Sequence, residues 1–354
     1  MQTRYSYALL ALSLGLAGCG QSAAPASQAP TQKPASTGAP TSAAASASAA
    51  PTALSLVYDN LSIGSAPVWL MDEKGIFQKY GLTAKTEFAE GTVGAQALLA
   101  GQYDVGFIST SAVVATNAQQ PVEKMVAAIF PKLIYSLVAT KSYTSIEQLR
   151  GHSFGIAKIG DSSDTATRLI VRKLGLDPDK DIKILQIGNS PARYAALLSG
   201  NVDAILADPM DVVRARRDGL NILATPAQLN IEYASGTFAL RDAFLKDHRD
   251  VARRFVMAVV DGIHYYKTHQ DEVAAITGQH LKSDDTQGLQ AGVQTFADQI
   301  MPKDPLFDQA ALQPIVDDAA LRNPSLKGAP FDRFVDNSLV QELEQSGFID
   351  QLYR

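Results

Sequence analysis

Ala97-Leu-Leu-Ala-Gly-Gln-Tyr-Asp-Val-Gly-Phe107 recurs downstream as Ala196-Leu-Leu-Ser-Gly-Asn-Val-Asp-Ala-Ile-Leu206. In each copy an apolar helical run ends on a glycine, Gly101 or Gly200, and an aspartate, Asp104 or Asp203, then opens a β-rich run. Glycine closes helices because it adopts the left-handed conformation without a Cβ clash, so each copy reads as a helix passing directly into a strand. Two copies of that unit in one chain predict two similar α/β lobes.

The same alternation extends outward from each copy. Before the first lie a strand at Leu54–Tyr58, a helix at Ser65–Lys74 with Ser65 as its cap and Pro67 in its first turn, a strand at Thr83–Phe88 and a helix at Thr92–Ala100. After it come a strand at Asp104–Ile108, a helix at Ser111–Ala118 and a buried strand at Leu133–Ala139. The second block runs strand Ser153–Ala157, helix Ser162–Leu174, strand Ile182–Ile187, helix Pro191–Leu198, strand Ala204–Ala207, helix Met210–Arg217 and strand Leu220–Ala224. Tyr233–Ala239 is strand-like, and the chain from about Asp247 is chiefly helical. Strands and helices in alternation predict mainly parallel sheets flanked by helices.

Composition restricts function. The chain has 354 residues, 46% hydrophobic and 19% charged, with 25 Gly and 17 Pro, an ordinary globular balance that excludes collagen and wholly disordered chains. Arg4 and Lys33 are the only charges before Asp59, so of 31 basic groups 29 remain against 36 acidic ones after Thr52, a net of −7. That acidic body argues against nucleic acid as a partner, because phosphate recognition needs a clustered basic face.

The chain begins as a secretory signal, residues 1–18, with Arg4 as the positive region and the apolar stretch Ala8–Ala17. Ten helical residues span about 15 Å, half of a bilayer core, so this stretch does not anchor as a spanning helix. Leu16-Ala17-Gly18-Cys19 resembles a bacterial lipobox, which implies lipid attachment at Cys19, the single cysteine of the chain. Gly20 in place of Asp resembles the outer-membrane-sorted pattern, which favours the outer membrane of a Gram-negative envelope. From Gly20 to Thr52, 27 of 33 residues are Ala, Ser, Pro or Thr, too little apolar surface to offset chain entropy. Residues 19–52 are thus expected to be a lipidated, disordered tether with a reach of about 30 Å.

Four stretches carry a family resemblance: Ala66–Leu82, Ala97–Phe107, Ile146–Ile156 and Ala196–Pro209. They resemble the periplasmic solute-binding proteins of ABC importers, in the group serving nitrate, sulfonates, taurine and thiamine precursors. The resemblance implies a two-lobed clamshell of type II. Its lobe one is expected at residues 53–144 plus 233–354 and its lobe two at 145–232, with ligand held in the cleft between them. It also implies a monomer that passes its small-molecule ligand to an ABC permease and ATPase and touches the membrane only through its anchor.

In open α/β sheets ligands bind beyond the carboxyl ends of the strands. The loops that qualify supply Ser65, Glu90, Gly91, the run Ser109-Thr110-Ser111, and Asp161, Ser162, Ser163 and Asp164; Asp208, Gly236 and Thr237 complete the ring, with Trp69 as a stacking platform or a core residue. Ser109, Thr110 and Ser111 are more hydroxyls than one helix cap needs, so they are candidates for an anionic or polar ligand group. The aspartates pull the other way. A helix N-terminus favours an anion by about 0.3–1 kcal/mol, whereas a carboxylate about 5 Å away opposes it by roughly 3 kcal/mol at an effective dielectric of 20. If Asp164 or Asp208 faces the cleft, a bare anion needs Lys158 or an arginine beside it; otherwise the ligand is zwitterionic, cationic or heteroaromatic. If both only cap helices, a sulfonate or carboxylate fits.

No catalytic residue, cofactor or metal is assigned. One branch resembling this fold makes the thiamine pyrimidine with a cysteine-rich motif and a first-lobe histidine, but here no cysteine follows Cys19 and no histidine precedes His152. His264 and His269 are spaced five apart, which is not a metal-ligand pattern. A ligand-sensing or envelope-assembly lipoprotein on the same fold remains the alternative to a transport component.

Overall fold

The computed structural model describes residues 50–354. The secretory stretch, Cys19 and the tether as far as residue 49 lie outside the described residues.

Among the described residues ten strands form two sheets. They are β1 Thr52–Tyr58, β2 Leu82–Phe88, β3 Val105–Ser109, β4 Glu123–Phe130, β5 Ser136–Ala139, β6 Ser153–Ile156, β7 Lys183–Gln186, β8 Ala204–Ala207, β9 Asn221–Ala224 and β10 Gly236–Arg241. The first sheet has the order β2-β1-β3-β10-β4 and the second β7-β6-β8-β5-β9. In each, four strands run one way and the fourth in order, β10 or β5, is antiparallel to both neighbours. Each reversed strand comes from beyond a crossing of the chain: β5 is the first strand after the passage out of the first sheet, and β10 the first after the return.

The helices follow the expected alternation. They are α1 Ala66–Glu73, α2 Ile76–Lys79, α3 Thr92–Leu99, α4 Thr110–Asn117, α5 Ser162–Lys173, α6 Ser190–Leu198, α7 Pro209–Arg217 and α8 Pro226–Leu229, and then the run α9 Asp242–Asp247, α10 Arg249–Thr268, α11 Gln270–Leu281, α12 Thr286–Thr295, α13 Gln309–Arg322, α14 Ser338–Gln345 and α15 Phe348–Leu352. Among these described residues no helix is long and apolar enough to cross a membrane.

The repeated segment is a repeated structure. Gly101 and Gly200 close α3 and α6 at φ of 75° and 73°, a region only glycine enters freely. The Asp104 carboxylate then accepts the amide and hydroxyl of Ser55 on β1 at 2.9 and 2.8 Å. Asp203 accepts those of Ser153 on β6 at 2.8 and 2.6 Å.

Three details depart from the sequence reading. Strand β4 is additional to the elements expected from sequence: Met125–Phe130 is buried without alternation, a run that periodicity alone does not identify. Within Leu133–Ala139 only Ser136–Ala139 is strand, and it pairs with β8 and β9 of the second sheet, so the crossing falls between Phe130 and Ser136 and not at residue 144. Ser65 does not cap α1 with its side chain; its hydroxyl donates instead to the Asn60 carbonyl.

The C-terminal helices pack across both sheets. Arg217 on α7 reaches Asp285, the cap of α12, at 2.8 Å, and Arg172 on α5 pairs with the buried Asp318 on α13, which also holds Arg322 at 2.7 Å. Gly292 lets α12 approach α7, since a Cβ there would stand 3.1 Å from the Met210 Cβ and 2.5 Å from Ile63.

Candidate functional site

One small cavity lies where the carboxyl ends of the two sheets meet. Asp59 and Asn60 follow β1, Glu90 follows β2, Ser109 ends β3, Ala157 follows β6 and Asn189 follows β7; Asp161, Ser162 and Ser163 open α5, Arg193 lies in the first turn of α6, and Tyr135 precedes β5. The enclosed space is about 20 Å³, room for little more than one water-sized group, so this is a nearly closed cleft. Its mouth is narrow: a Cβ on Gly91 would come within 3.0 Å of Lys158, and one on Gly188 within 3.3 Å of the Glu90 carboxylate.

Of the residues expected from sequence, Glu90, Ser109, Asp161, Ser162 and Ser163 line this cavity together, and Gly91 borders it. Asp161 caps α5 as expected, accepting the Asp164 amide at 3.0 Å and the Ser163 hydroxyl at 2.7 Å. Ser162 Oγ lies 3.2 Å from the hydroxyl of Tyr233, on the segment that returns to the first sheet.

The remaining candidates sit elsewhere. Asp164 is fully buried, accepting the Gly160 amide at 2.8 Å and Arg168 Nε at 2.7 Å. Asp208 caps α7 through the Asp211 amide at 3.0 Å and lines a neighbouring cavity with Asp211, Arg214 and Ser62. Trp69 is a core residue stacked on His280 at 4.5 Å between ring centroids. Thr237 lies inside the first sheet with its hydroxyl on the Ala127 carbonyl at 3.0 Å, and at Gly236 a Cβ would collide with the Phe130 ring at 2.9 Å. Ser65 is buried against Asn60, while Thr110 and Ser111 are buried at the start of α4, and Ser111 faces a different cavity beside α13.

Two residues central to the cavity were not singled out from the sequence, Asp59 and Arg193. Asp59 accepts the Ser109 amide at 2.8 Å, and burial, reinforced by the negative charge of Asp161, pushes its carboxyl up to about 7 against the hydrogen bond's opposite pull. Arg193 is 3% exposed; one terminal nitrogen donates to the Gly188 carbonyl at 2.9 Å, while its Nε has no partner among the described residues. Its positive charge acts to lower Asp161, Asp208 and Asp211, all three of which burial drives upward. A signal was present: a cation in the first turn of a helix opposes the helix dipole and therefore needs acidic partners or a ligand.

The hydroxyls of Ser109, Thr110 and Ser111 are buried and, among the described residues, unpartnered. Buried polar atoms without partners are costly and uncommon in native structures, and such atoms at a cavity are where a ligand's groups supply the missing bonds. Of the three, Ser109 lines the cleft cavity. Among the described residues no cluster of three or more His, Cys, Asp or Glu is arranged to hold a metal.

Two five-stranded α/β sheets joined by two crossings, with a polar cavity at their facing carboxyl ends, define the two-lobed periplasmic-binding-protein fold. The chain belongs to the NMT1/THI5 like family, whose model matches residues 63–273. A provisionally named binding protein of Brucella abortus (strain 2308) is 24% identical over 225 residues, covering 62% of this chain and 69% of that protein. A solved structure from Bordetella bronchiseptica RB50 has a TM-score of 0.73 at 17% identity, covering 83% of this chain and 98% of the other. The alkanesulfonate-binding protein SsuA from Xanthomonas axonopodis pv. citri, bound to MOPS, has a TM-score of 0.64 at 17% identity over 83% and 98% of the two chains. The resemblance read from the sequence is borne out at the level of family and fold.

Proposed function

We propose that this protein is the solute-binding component of an ABC import system, capturing a small polar molecule between its two lobes and presenting the closed form to a membrane permease. One observation carries the reading: Ser109 at the end of β3 and Arg193 on α6 of the second lobe, each with an unpartnered buried polar atom, line one cavity at the strands' carboxyl ends. Such atoms gain from a ligand that touches both sheets at once, the differential contact that shifts a hinge toward closure. The family membership and the binding proteins among its relatives support the same reading. Lipid attachment at Cys19, with residues 20–52 as tether, would hold the body at the envelope.

The test is thermal shift and small-angle scattering against nitrate, alkanesulfonates, aromatic carboxylates, aminoalkyl acids and pyrimidines. A binder should raise the melting temperature and reduce the radius of gyration. A binder that leaves the radius unchanged removes hinge closure from the mechanism, and a panel without binders sinks the solute-binding reading.

A further inference from the structure

Building on the solute-binding reading, we propose that the ligand is a zwitterion, its acidic group met by Arg193 and Ser109 and its protonated nitrogen by Asp59 and Glu90. The cavity walls carry three carboxylates, Asp59, Glu90 and Asp161, against one guanidinium, Arg193. Arg193 does not serve them alone, because its charge also acts on the buried Asp208 and Asp211 of the adjoining cavity. A simple anion entering this cleft passes Lys158 near Gly91 and then meets three acidic side chains against one guanidinium.

The three carboxylates differ in what already holds them. Asp161 is occupied as a helix cap, with the Asp164 amide and the Ser163 hydroxyl both on its Oδ1. The Asp59 carboxylate accepts the Ser109 amide on Oδ2 and is buried. Burial without a counter-charge is what raises its carboxyl toward neutrality, and a ligand ammonium beside it would restore the ionised form. Glu90 lines the same cavity, with its carboxylate beside Gly188.

The opposite requirement comes from the donors. A cation alone would leave Arg193 Nε buried and unpaired, and a guanidinium is shaped to grip a carboxylate or sulfonate. A molecule with both charges satisfies the two ends.

The experiment is calorimetry on the lipid-free body with two matched sets: 3-aminopropanesulfonate, propanesulfonate and propylamine, and 4-aminobutanoate, butanoate and butylamine. In at least one set the zwitterion should bind 10-fold or more tightly than either parent, and Asp59→Asn should erase its advantage over the anion while leaving the folded circular-dichroism spectrum intact. An anion that binds as tightly as its zwitterion overturns the inference, as does an amine that does so. If all six fail while nitrate or a pyrimidine binds with cleft closure, the zwitterion is wrong and the solute-binding reading stands; if nothing binds at all, that reading fails as well. Should Asp59→Asn not fold, Glu90→Gln and Arg193→Lys supply the two halves of the comparison, weakening amine and acid recognition respectively.

Discussion

Asp203 holds Ser153 as Asp104 holds Ser55, each carboxylate taking an amide and a hydroxyl from the parallel strand beside the one it precedes. The bond is returned in both cases, the aspartate amide donating to the serine hydroxyl at 3.1 and 3.0 Å. Hydrogen bonds to a charged group contribute about 1.5–3 kcal/mol. Asp203→Ala and Asp104→Ala are each expected to cost about 2–4 kcal/mol in urea unfolding, with ligand affinity retained, since neither residue lines the cavity. A loss below 0.5 kcal/mol in both would show that the repeat is not a structural brace.

Stability should depend on pH through buried acids. Burial raises Asp59, Asp208 and Glu123 each to about 7, far above an ordinary carboxyl. Between the ordinary carboxyl value near 4 and about 7 the folded state therefore binds protons that the unfolded chain has released, so stability falls as pH rises across that window. The melting temperature of the free protein should drop between pH 5 and pH 8, and Asp59→Asn should make the decline shallower. A melting temperature that climbs over this range contradicts the assignment.

At the mouth of the cleft, Gly91 has φ 60° and ψ −135°, a conformation nearly restricted to glycine. Gly91→Ala should cost about 1–3 kcal/mol of stability from backbone strain. The lysine can swing aside, so Lys158→Ala in the same background should not restore the loss; full recovery would locate the cost in the side-chain contact instead.

The two sheets are also fastened away from the cleft. Asp318 with Arg172, and Asp285 with Arg217, tie the C-terminal helices α13 and α12 to α5 and α7 of the second lobe. Arg172→Ala combined with Arg217→Ala should favour the open form, enlarging the ligand-free radius of gyration and weakening ligand binding several-fold. The exposed Arg217 pair should contribute less than the Arg172 pair, whose partner is buried. An unchanged radius would leave closure to the cleft contacts alone.

Cys19→Ser should move the protein from the membrane fraction to the soluble fraction of envelope preparations without altering ligand affinity. Persistence in the membrane fraction would remove the lipid attachment.

Much of the fold was legible because its signals are local. Glycine-closed helices, aspartates opening strands and caps such as Asp161 fix elements within a few residues of themselves. β4 escaped because a fully buried strand has no alternation to read, and β5 was given to the wrong sheet because pairing partners are remote in sequence. The site was legible in its hydroxyl loops, Ser109 and Ser162-Ser163, and not in its charges. Asp164 and Asp161 are three residues apart on one turn, yet one faces Arg168 and the other the cleft, a distinction of side-chain direction that sequence does not carry. Arg193 was hidden because the acids whose charge it offsets come from two remote segments, Asp161 at the start of α5 and Asp208 with Asp211 at the start of α7.

The reversed strands set an order of assembly. All the strands of the second sheet lie within residues 136–224, so that sheet can close as soon as this stretch is available. The first sheet cannot: β4 reaches β3 only through β10, whose last residue is Arg241. In N-to-C order β2, β1 and β3 can pair with one another, but β4 and the outer edge of β3 must wait unpaired while the lobe made after them finishes first. A released chain truncated near residue 230 would present a completed second sheet beside an exposed edge of β3, a natural station for a chaperone.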